Sequence, residues 1–276
     1  MHEQPSYRLG TYAEFDAGGE LAPFVQALWV HAAAPDDPTS AHRVVPDHAL
    51  SIAFSCRRDA RGAVSDAQLL LIGPVRTPRV VVREPGTELV AIRVHPEWSQ
   101  RLLDVSPGEH PNAVVDLAGV TRVVTGSLAE QLAESRSPIE ALRMLRTAAE
   151  GVARRLRQPG GSDAAVVRAA EALRRSRGRA GVEALAGLVG LSSRHLRRAF
   201  TSAVGMSPKA AARMIRFHRV LAATDGTRSV DWADTALRFG YADQAHMIHE
   251  FSAFSGFTPA ALHRERVAES DSSNLS

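Results

Sequence analysis

The sequence contains one cysteine, one lysine, few aromatic residues and no long apolar run, and these shortages exclude several classes of protein. A single cysteine, Cys56, excludes an intrachain disulfide and every zinc site that needs several cysteines, and it fits a reducing compartment. No stretch reaches the ~18 apolar residues that a membrane span needs, and the first ten residues contain no apolar signal-peptide core. We therefore expect a cytoplasmic protein without membrane association.

Positive charge is unevenly distributed along the chain. Residues 1–162 contain 17 basic and 19 acidic residues, whereas residues 163–276 contain 16 basic and 11 acidic ones. Every basic residue except Lys209 is an arginine, whose guanidinium group pairs with phosphates, guanine edges or carboxylates. The C-terminal excess indicates a polyanionic partner for that part, although a genome biased towards arginine and alanine would explain the arginine content equally well.

The first part of the chain is predicted to be rich in β-strands. Short apolar runs separated by Pro, Gly and Asp predict strands at 24–30, 50–54, 69–72, 80–82 and 89–94, with 21–29 as a candidate helix. These strands would form a barrel or a curled sheet.

The second part is predicted to be helical. Apolar residues at helical spacing predict one or two helices over 128–157, and the Pro-Gly-Gly-Ser run at 159–162 predicts a domain boundary. The prediction is an α+β chain made of a β-rich, barrel-like domain over 1–122, a helical connector over 123–162, an all-α domain over 163–266 and a flexible tail over 267–276.

Residues 185–208 and 235–259 are imperfect copies of one another. Gly190 aligns with Gly240 at a spacing of 50 and Phe200 with Phe251 at a spacing of 51. The turn of the second copy therefore contains one additional residue. In each copy a short helix ends at a glycine, and a capped turn leads into a second helix with apolar residues four apart. This is the pattern of a helix-turn-helix unit, present twice.

The second helix of each copy is the candidate DNA-reading helix, because its apolar residues face inward and leave polar ones outside. The candidate contacts are Ser193, Arg194, Arg197 and Arg198 in the first copy, and Gln244, Ala245, Ile248 and His249 in the second. A continuous helix over 208–224 would hold the two reading helices about one DNA turn, roughly 34 Å, apart.

Residues from about 163 to 266 resemble the DNA-binding domain of the AraC/XylS family of transcription regulators. The second copy carries GYADQAHM at 240–247 and GFTP at 256–259, and the first carries GLS at 190–192 and GMSP at 205–208. The resemblance implies that the eight candidate residues contact bases or phosphates. His249 stands where the family usually has arginine, and Thr235 where it usually has a larger aliphatic residue, which implies weaker or pH-dependent DNA binding by the second helix.

The N-terminal part resembles the β-rich sensor domains of some AraC-type regulators, through the segments 43–48, 71–74 and 89–96. Such domains sense effectors or form dimers. The residues that we expect to line an effector pocket, because rings and a few polar groups are typical of small-ligand sites, are Trp29, Asp47, His48, Ser51, Arg93 and Trp98. Ordinary core roles for the two tryptophans are the alternative.

The functional hypothesis is a transcription regulator without catalytic residues, metal or cofactor. Its expected partners are double-stranded promoter or operator DNA, a small-molecule effector and RNA polymerase, and we expect a monomer or a homodimer. Two enzymatic alternatives remain open: a DNA repair protein that transfers alkyl groups to Cys56, and a barrel enzyme with an AraC-like DNA-binding tail. The spacing of His246 and His249 on one helix is compatible with metal ligation, but the sequence offers no third ligand nearby.

Overall fold

The computed structural model describes residues 7–9, 12–33, 40–123, 127–156 and 160–273. Its N-terminal part is built from antiparallel β-strands. The strands are β1 (Tyr7–Leu9), β2 (Tyr12–Phe15), β3 (Val25–Ala32), β4 (Ser40–Val44), β5 (Leu50–Arg58), β6 (Val64–Ile72), β7 (Arg79–Arg83), β8 (Thr87–Val94) and β9 (Val114–Asp116).

Seven of these strands form one sheet in the order β1-β2-β3-β8-β5-β6-β9, and β4 pairs with β7 in a separate two-stranded sheet. The central strands β5 and β8 are paired from Leu50 opposite Val94 to Arg57 opposite Thr87. Both strands are rich in apolar residues on both faces, as expected for strands that are covered on each side. β1 and β9 are the edges of the sheet among the described residues, and they do not pair with each other, so the sheet is open.

Helices cover one face of the large sheet. They are α1 (Ser99–Leu103), α2 (Ser127–Ala133) and α3 (Pro138–Ala153). Phe54 and Ile92 of the sheet share one apolar core with Leu132 of α2 and Leu142 of α3, and all four are almost completely buried. The opposite face contains Trp29 and its apolar neighbours in a smaller cluster.

The five predicted strand positions all lie in or overlap strands, but the candidate helix over 21–29 is wrong. Only Gly19–Leu21 forms a single 3-10 turn, and Val25–Ala32 is β3. After the exposed Gln26, the apolar run from Ala27 to Val30 is continuous because this part of the strand is buried on both faces, and such a run has no period that separates a strand from a buried helix.

The C-terminal part is helical throughout. Its helices are α4 (Gly161–Arg175), α5 (Val182–Val189), α6 (Ser193–Val204), α7 (Pro208–Thr224), α8 (Trp232–Arg238), α9 (Gln244–Ser255) and α10 (Pro259–Ser273). The predicted connecting helix is α7. α10 extends into the segment predicted to be a flexible tail, because no proline or glycine interrupts this helix after its first residue; residues 274–276 lie outside the described residues. None of the described helices is long and apolar enough to span a membrane.

The β-rich part contacts both helix-turn-helix units. On the first unit, Gly205 at the end of α6 lies so close to the loop after α1 that a Cβ there would be 3.3 Å from the Cβ of Pro107. Nearby, Arg174 at the end of α4 forms an ion pair with the buried carboxylate of Glu97, in the 3-10 turn Pro96–Trp98. On the other unit, Arg43 of β4 lies 2.9 Å from Glu265 of α10 and stacks over the Phe257 ring at 4.4 Å. The sheet domain therefore touches each DNA-reading unit separately.

Candidate nucleic-acid interface

The first reading helix, α6, is positioned by a cap at its start and an apolar face along its length. Gly190 ends α5 with a φ of 72°, a conformation that glycine adopts without steric cost. The hydroxyl of Ser192 then accepts a hydrogen bond from the backbone N–H of His195 at 3.2 Å and caps α6. Leu196 and Phe200 are buried against α4 and α5, which fixes the direction in which the outer face points.

The outer face of α6 is positively charged and open to solvent. Arg194, Arg197 and Arg198 are all exposed, whereas Ser193 is half-buried. Arg197 has an exposed ion pair with Glu183 at 3.4 Å, a kind of contact that contributes little because water screens it. Arg194 and Arg198 have no ion pair among the described residues. Their charges are therefore available to an external polyanion.

His195 belongs to the same surface, although the sequence analysis did not include it. It is exposed and lines a shallow depression together with Ser192, Arg194 and Arg198. The spacing of 194, 195 and 198 places these side chains on one face of a helix, which is the signal that would have identified His195.

The second reading helix, α9, repeats this arrangement without the arginines. The carboxylate of Asp243 accepts a hydrogen bond from the backbone N–H of His246 at 2.7 Å and caps the helix, while Met247 and Phe251 are buried. Of the predicted contact residues, Gln244, Ala245 and His249 are exposed and Ile248 is half-buried. This surface offers an amide and apolar groups, which suit adenine and thymine edges.

A buried carboxylate joins α9 to the connecting helix α7. Glu250 of α9 accepts hydrogen bonds from Nε of Arg213 at 2.9 Å, Nη2 of Arg216 at 3.2 Å and Nε2 of His246 at 3.2 Å. Arg216 also donates to the backbone oxygen of Gly178, in the turn between α4 and α5. Arg216 of α7 thus links this turn to the second helix-turn-helix unit.

His246 has no free nitrogen for a metal. Its Nδ1 accepts a hydrogen bond from the backbone N–H of Ala242 at 3.2 Å, and its Nε2 donates to Glu250. No cluster of three potential metal ligands exists within the part of the chain that the structure describes.

The structure gathers most of the predicted effector-pocket residues on the sheet face opposite α2 and α3. Arg93 lies 3.0 Å from a carboxylate oxygen of Asp47, and Trp29 donates from Nε1 to the Ser51 hydroxyl at 3.5 Å. His48 lies next to Asp47, and burial lowers its pKa to about 4. Trp98 is not part of this group, because it packs edge-on against Phe24 at 4.6 Å in the main core.

Three further residues belong to this polar cluster. Arg93 donates to Glu14 at 2.6 Å and to the Tyr12 hydroxyl at 3.0 Å. Burial alone would raise the pKa of Glu14, but the charge of Arg93 and the hydrogen bonds from Tyr12 and Arg93 hold this pKa below its usual value. His218 of α7 reaches the cluster from the DNA-binding part and donates from Nε2 to the oxygen of Pro46 at 2.8 Å. The sequence carries no sign of these contacts, because they join residues far apart in the chain.

Cys56 does not have the surroundings of a reactive thiol. It is buried beside Glu88, with 3.6 Å between Sγ and a carboxylate oxygen. Burial raises the pKa of Cys56 to about 12, and the negative charge of Glu88 raises it as well. Because the thiolate is the nucleophile, this site does not favour alkyl transfer to Cys56.

Comparisons with known families agree with the division into two parts. Residues 185–265 match the family model of a helix-turn-helix domain, HTH_18, and this range contains both of the capped reading helices. The C-terminal part of the chain is an AraC-type helix-turn-helix domain. Residues 13–116, in front of this AraC-type domain, match a domain of unknown function, DUF6597.

Solved structures give only a distant likeness. A structure of ToxT from Vibrio cholerae is 11% identical, covers 83% of this chain and 98% of its own, and superposes with a TM-score of 0.42. ToxT from strain SCE256 of the same organism, solved with an unsaturated fatty acid bound, is 10% identical, covers 85% and 93%, and has a TM-score of 0.39. These values are too low to transfer a property from ToxT to the AraC-type domain or its partner domain. A search of curated proteins finds no match.

Proposed function

We propose that this protein is a cytoplasmic transcription regulator that binds specific sequences of double-stranded promoter DNA through both helix-turn-helix units. The observation that carries the proposal is the pair of capped reading helices whose outer faces are open to solvent. One of them carries Arg194 and Arg198, which are exposed and form no ion pair within the described part of the chain. Arginine pairs with guanine edges and phosphates, and the amide of Gln244 pairs with adenine. The eight predicted contact residues remain the proposed DNA-binding set, and His195 is added to it.

The sheet domain is proposed to control this binding in response to a small molecule or a partner. Two of its contacts support that role. His218 places the connecting helix α7 directly against the polar cluster around Arg93, and Arg43 ties β4 to Glu265 beyond the second reading helix. A change in the cluster would therefore reach α7 without an intermediate element. Such control requires a ligand that binds two arrangements of the domains with different affinity.

The proposal is tested by selecting binding sites for the full-length protein from a pool of random double-stranded DNA, followed by footprinting of the selected sequence. The expected footprint covers two successive major grooves on one face of the duplex, with centres about 10 base pairs apart. Random DNA should compete poorly. Equal affinity for selected and random DNA would contradict a sequence-specific regulator.

Matched variants connect the footprint to the reading helices. The Arg194→Ala/Arg198→Ala variant should lose most of its preference for the selected site over random DNA. The Arg122→Ala/Arg136→Ala variant removes the same charge from exposed positions of the N-terminal domain and should keep the preference. If both variants lose it equally, net charge and not α6 determines recognition.

A further inference from the structure

Three arginines meet at the junction between the two helix-turn-helix units without any acidic partner among the described residues. Arg177 and Arg179 lie in the turn between α4 and α5, and Arg219 lies on α7. This contrasts with Arg213 and Arg216 of the same helix, which share the carboxylate of Glu250. The proposed function uses none of the three.

Backbone contacts hold the first side of this junction in place. Gly178 packs so closely on α7 that a Cβ there would lie 2.5 Å from the oxygen of Ala212, so only glycine fits. The guanidinium of Arg179 then crosses to the second unit and donates to the oxygen of Arg238 at 2.6 Å. The Arg179 side chain also passes 3.3 Å from where a Cβ on Gly240 would lie. Arg179 is therefore fixed between the two units although it is exposed.

Arg219 approaches from α7 towards the guanidinium groups of Arg177 and Arg179. Its guanidinium stacks over the Phe239 ring at 4.9 Å, next to Gly240. Its Nη1 is buried and has no hydrogen-bond partner in the described structure. Burial lowers the pKa of Arg219, and the charges of Arg177 and Arg179 lower it further. Because a guanidinium stays protonated in proteins, the three groups repel one another until an anion lies among them.

We propose that Arg177, Arg179 and Arg219 form a binding site for a phosphate group at the junction of the two helix-turn-helix units. Guanidinium groups bind phosphate oxygens with paired, charge-assisted hydrogen bonds, and the unused Nη1 of Arg219 supplies one donor. The phosphate comes either from the DNA backbone between two successive major grooves or from a free phosphate-containing molecule. The first source rests on the proposed function, whereas the second does not.

The test uses full-length protein and compares Arg177→Gln/Arg179→Gln with Arg122→Gln/Arg136→Gln, which removes the same charge from the N-terminal domain. In the first arm, affinity for the selected DNA is measured across a salt series. Each lost phosphate contact makes the negative slope of log affinity against log salt shallower by about 0.9. The slope of the junction variant should therefore be shallower by about 1 to 2, and the slope of the control should not change.

In the second arm, inorganic phosphate is titrated into the protein without DNA and followed by calorimetry. Binding that the junction variant loses and the control keeps would identify a free phosphate ligand, and this arm can be read even if the protein binds no specific DNA. A lower salt slope without phosphate binding would identify the DNA backbone. If the junction variant matches the control in both arms, the inference is overturned.

Two additional variants separate charge from folding. Arg177→Lys/Arg179→Lys keeps both charges and should retain most of the salt slope. Arg177→Gln alone removes an exposed side chain outside the Arg179 contact and should lower the slope by about half as much as the double variant. A full effect of the double variant combined with no effect of Arg177→Gln would remove Arg177 from the site.

Discussion

Replacing Glu250 should destabilise the second helix-turn-helix unit more than any exposed carboxylate does. Its side chain is only 6% exposed and neutralises two arginines, one of which, Arg216, is 13% exposed. Removing one partner of a buried ion pair leaves the other charge without compensation and costs about 3–5 kcal/mol. We therefore expect Glu250→Ala to lower the free energy of unfolding by about that amount.

Glu250→Gln keeps the shape of the side chain and one acceptor oxygen. Its amide oxygen, in the place of Oε1, can still accept from Arg213 and His246, but the charge is gone and the amide nitrogen, in the place of Oε2, cannot accept from Arg216. Loss of hydrogen bonds to charged groups costs about 1.5–3 kcal/mol, so this variant should fall between Glu250→Ala and the natural protein. Urea unfolding followed by circular dichroism at 222 nm measures both changes.

Glu171 provides the matched control, because its ion pair with Arg175 is shorter, at 2.8 Å, but lies on the surface of α4. Exposed pairs of this kind contribute about 0–1 kcal/mol, so Glu171→Ala should be nearly silent. If burial determines the effect, the longer contacts of Glu250 matter more than the shorter one of Glu171. Equal stability of Glu250→Ala and Glu171→Ala would refute this reasoning.

Three further predictions concern DNA recognition, thiol reactivity and pH. If Arg198 pairs with a guanine, Arg198→Ala should weaken DNA binding by about 1–3 kcal/mol and relax specificity at one base position. Affinities for single-base variants of the selected site measure this, and an equal loss on all sequences would mean that Arg198 contacts a phosphate. Cys56, with its pKa raised to about 12, should react with a thiol reagent at pH 8 far more slowly in the folded protein than in urea, and equal rates would contradict its burial. Burial and the nearby charge of Arg174 lower the pKa of His95 to about 3, so the unfolded chain takes up this proton at higher pH than the folded one. The free energy of unfolding should then fall as pH drops below about 6.5, and His95 should account for about 2 kcal/mol of this loss at pH 5. In urea unfolding at about pH 6.5 and at pH 5, the difference between the two pH values should be smaller by that amount for His95→Asn.

The helical part was predictable from sequence because its signals are local. The glycines that end α5 and α6, the caps at Ser192, Asp231 and Asp243, and the apolar pairs four residues apart all act within one or two helical turns. Thr235, which departs from the family pattern, is buried and donates its hydroxyl to the oxygen of Asp231. This bond satisfies the polar group that the substitution introduces.

The sheet domain was predictable only in outline. β2 and β4 escaped prediction because polar residues such as Glu14 and His42 interrupt short strands. The cluster around Arg93 depends on which strands are neighbours, and the sequence does not specify this register: Arg93 meets Glu14 across 79 positions and His218 meets Pro46 across 172. Five of the six predicted pocket residues do lie in or beside that cluster, whereas Trp98 lies in the main core.

Only the structure shows where the excess positive charge of the C-terminal part lies. Arg213 and Arg216 form ion pairs with Glu250, and Arg266 forms one with Asp225, so carboxylates within the domain neutralise their charge. The remaining arginine charge of the reading helices lies on α6, because α9 exposes none. Because the contacts proposed for α9 are to base edges, which salt affects little, we expect the salt dependence of DNA binding to come from α6 and the junction arginines. A charge count along the sequence cannot make this separation, since it depends on which arginines face a carboxylate and which face water.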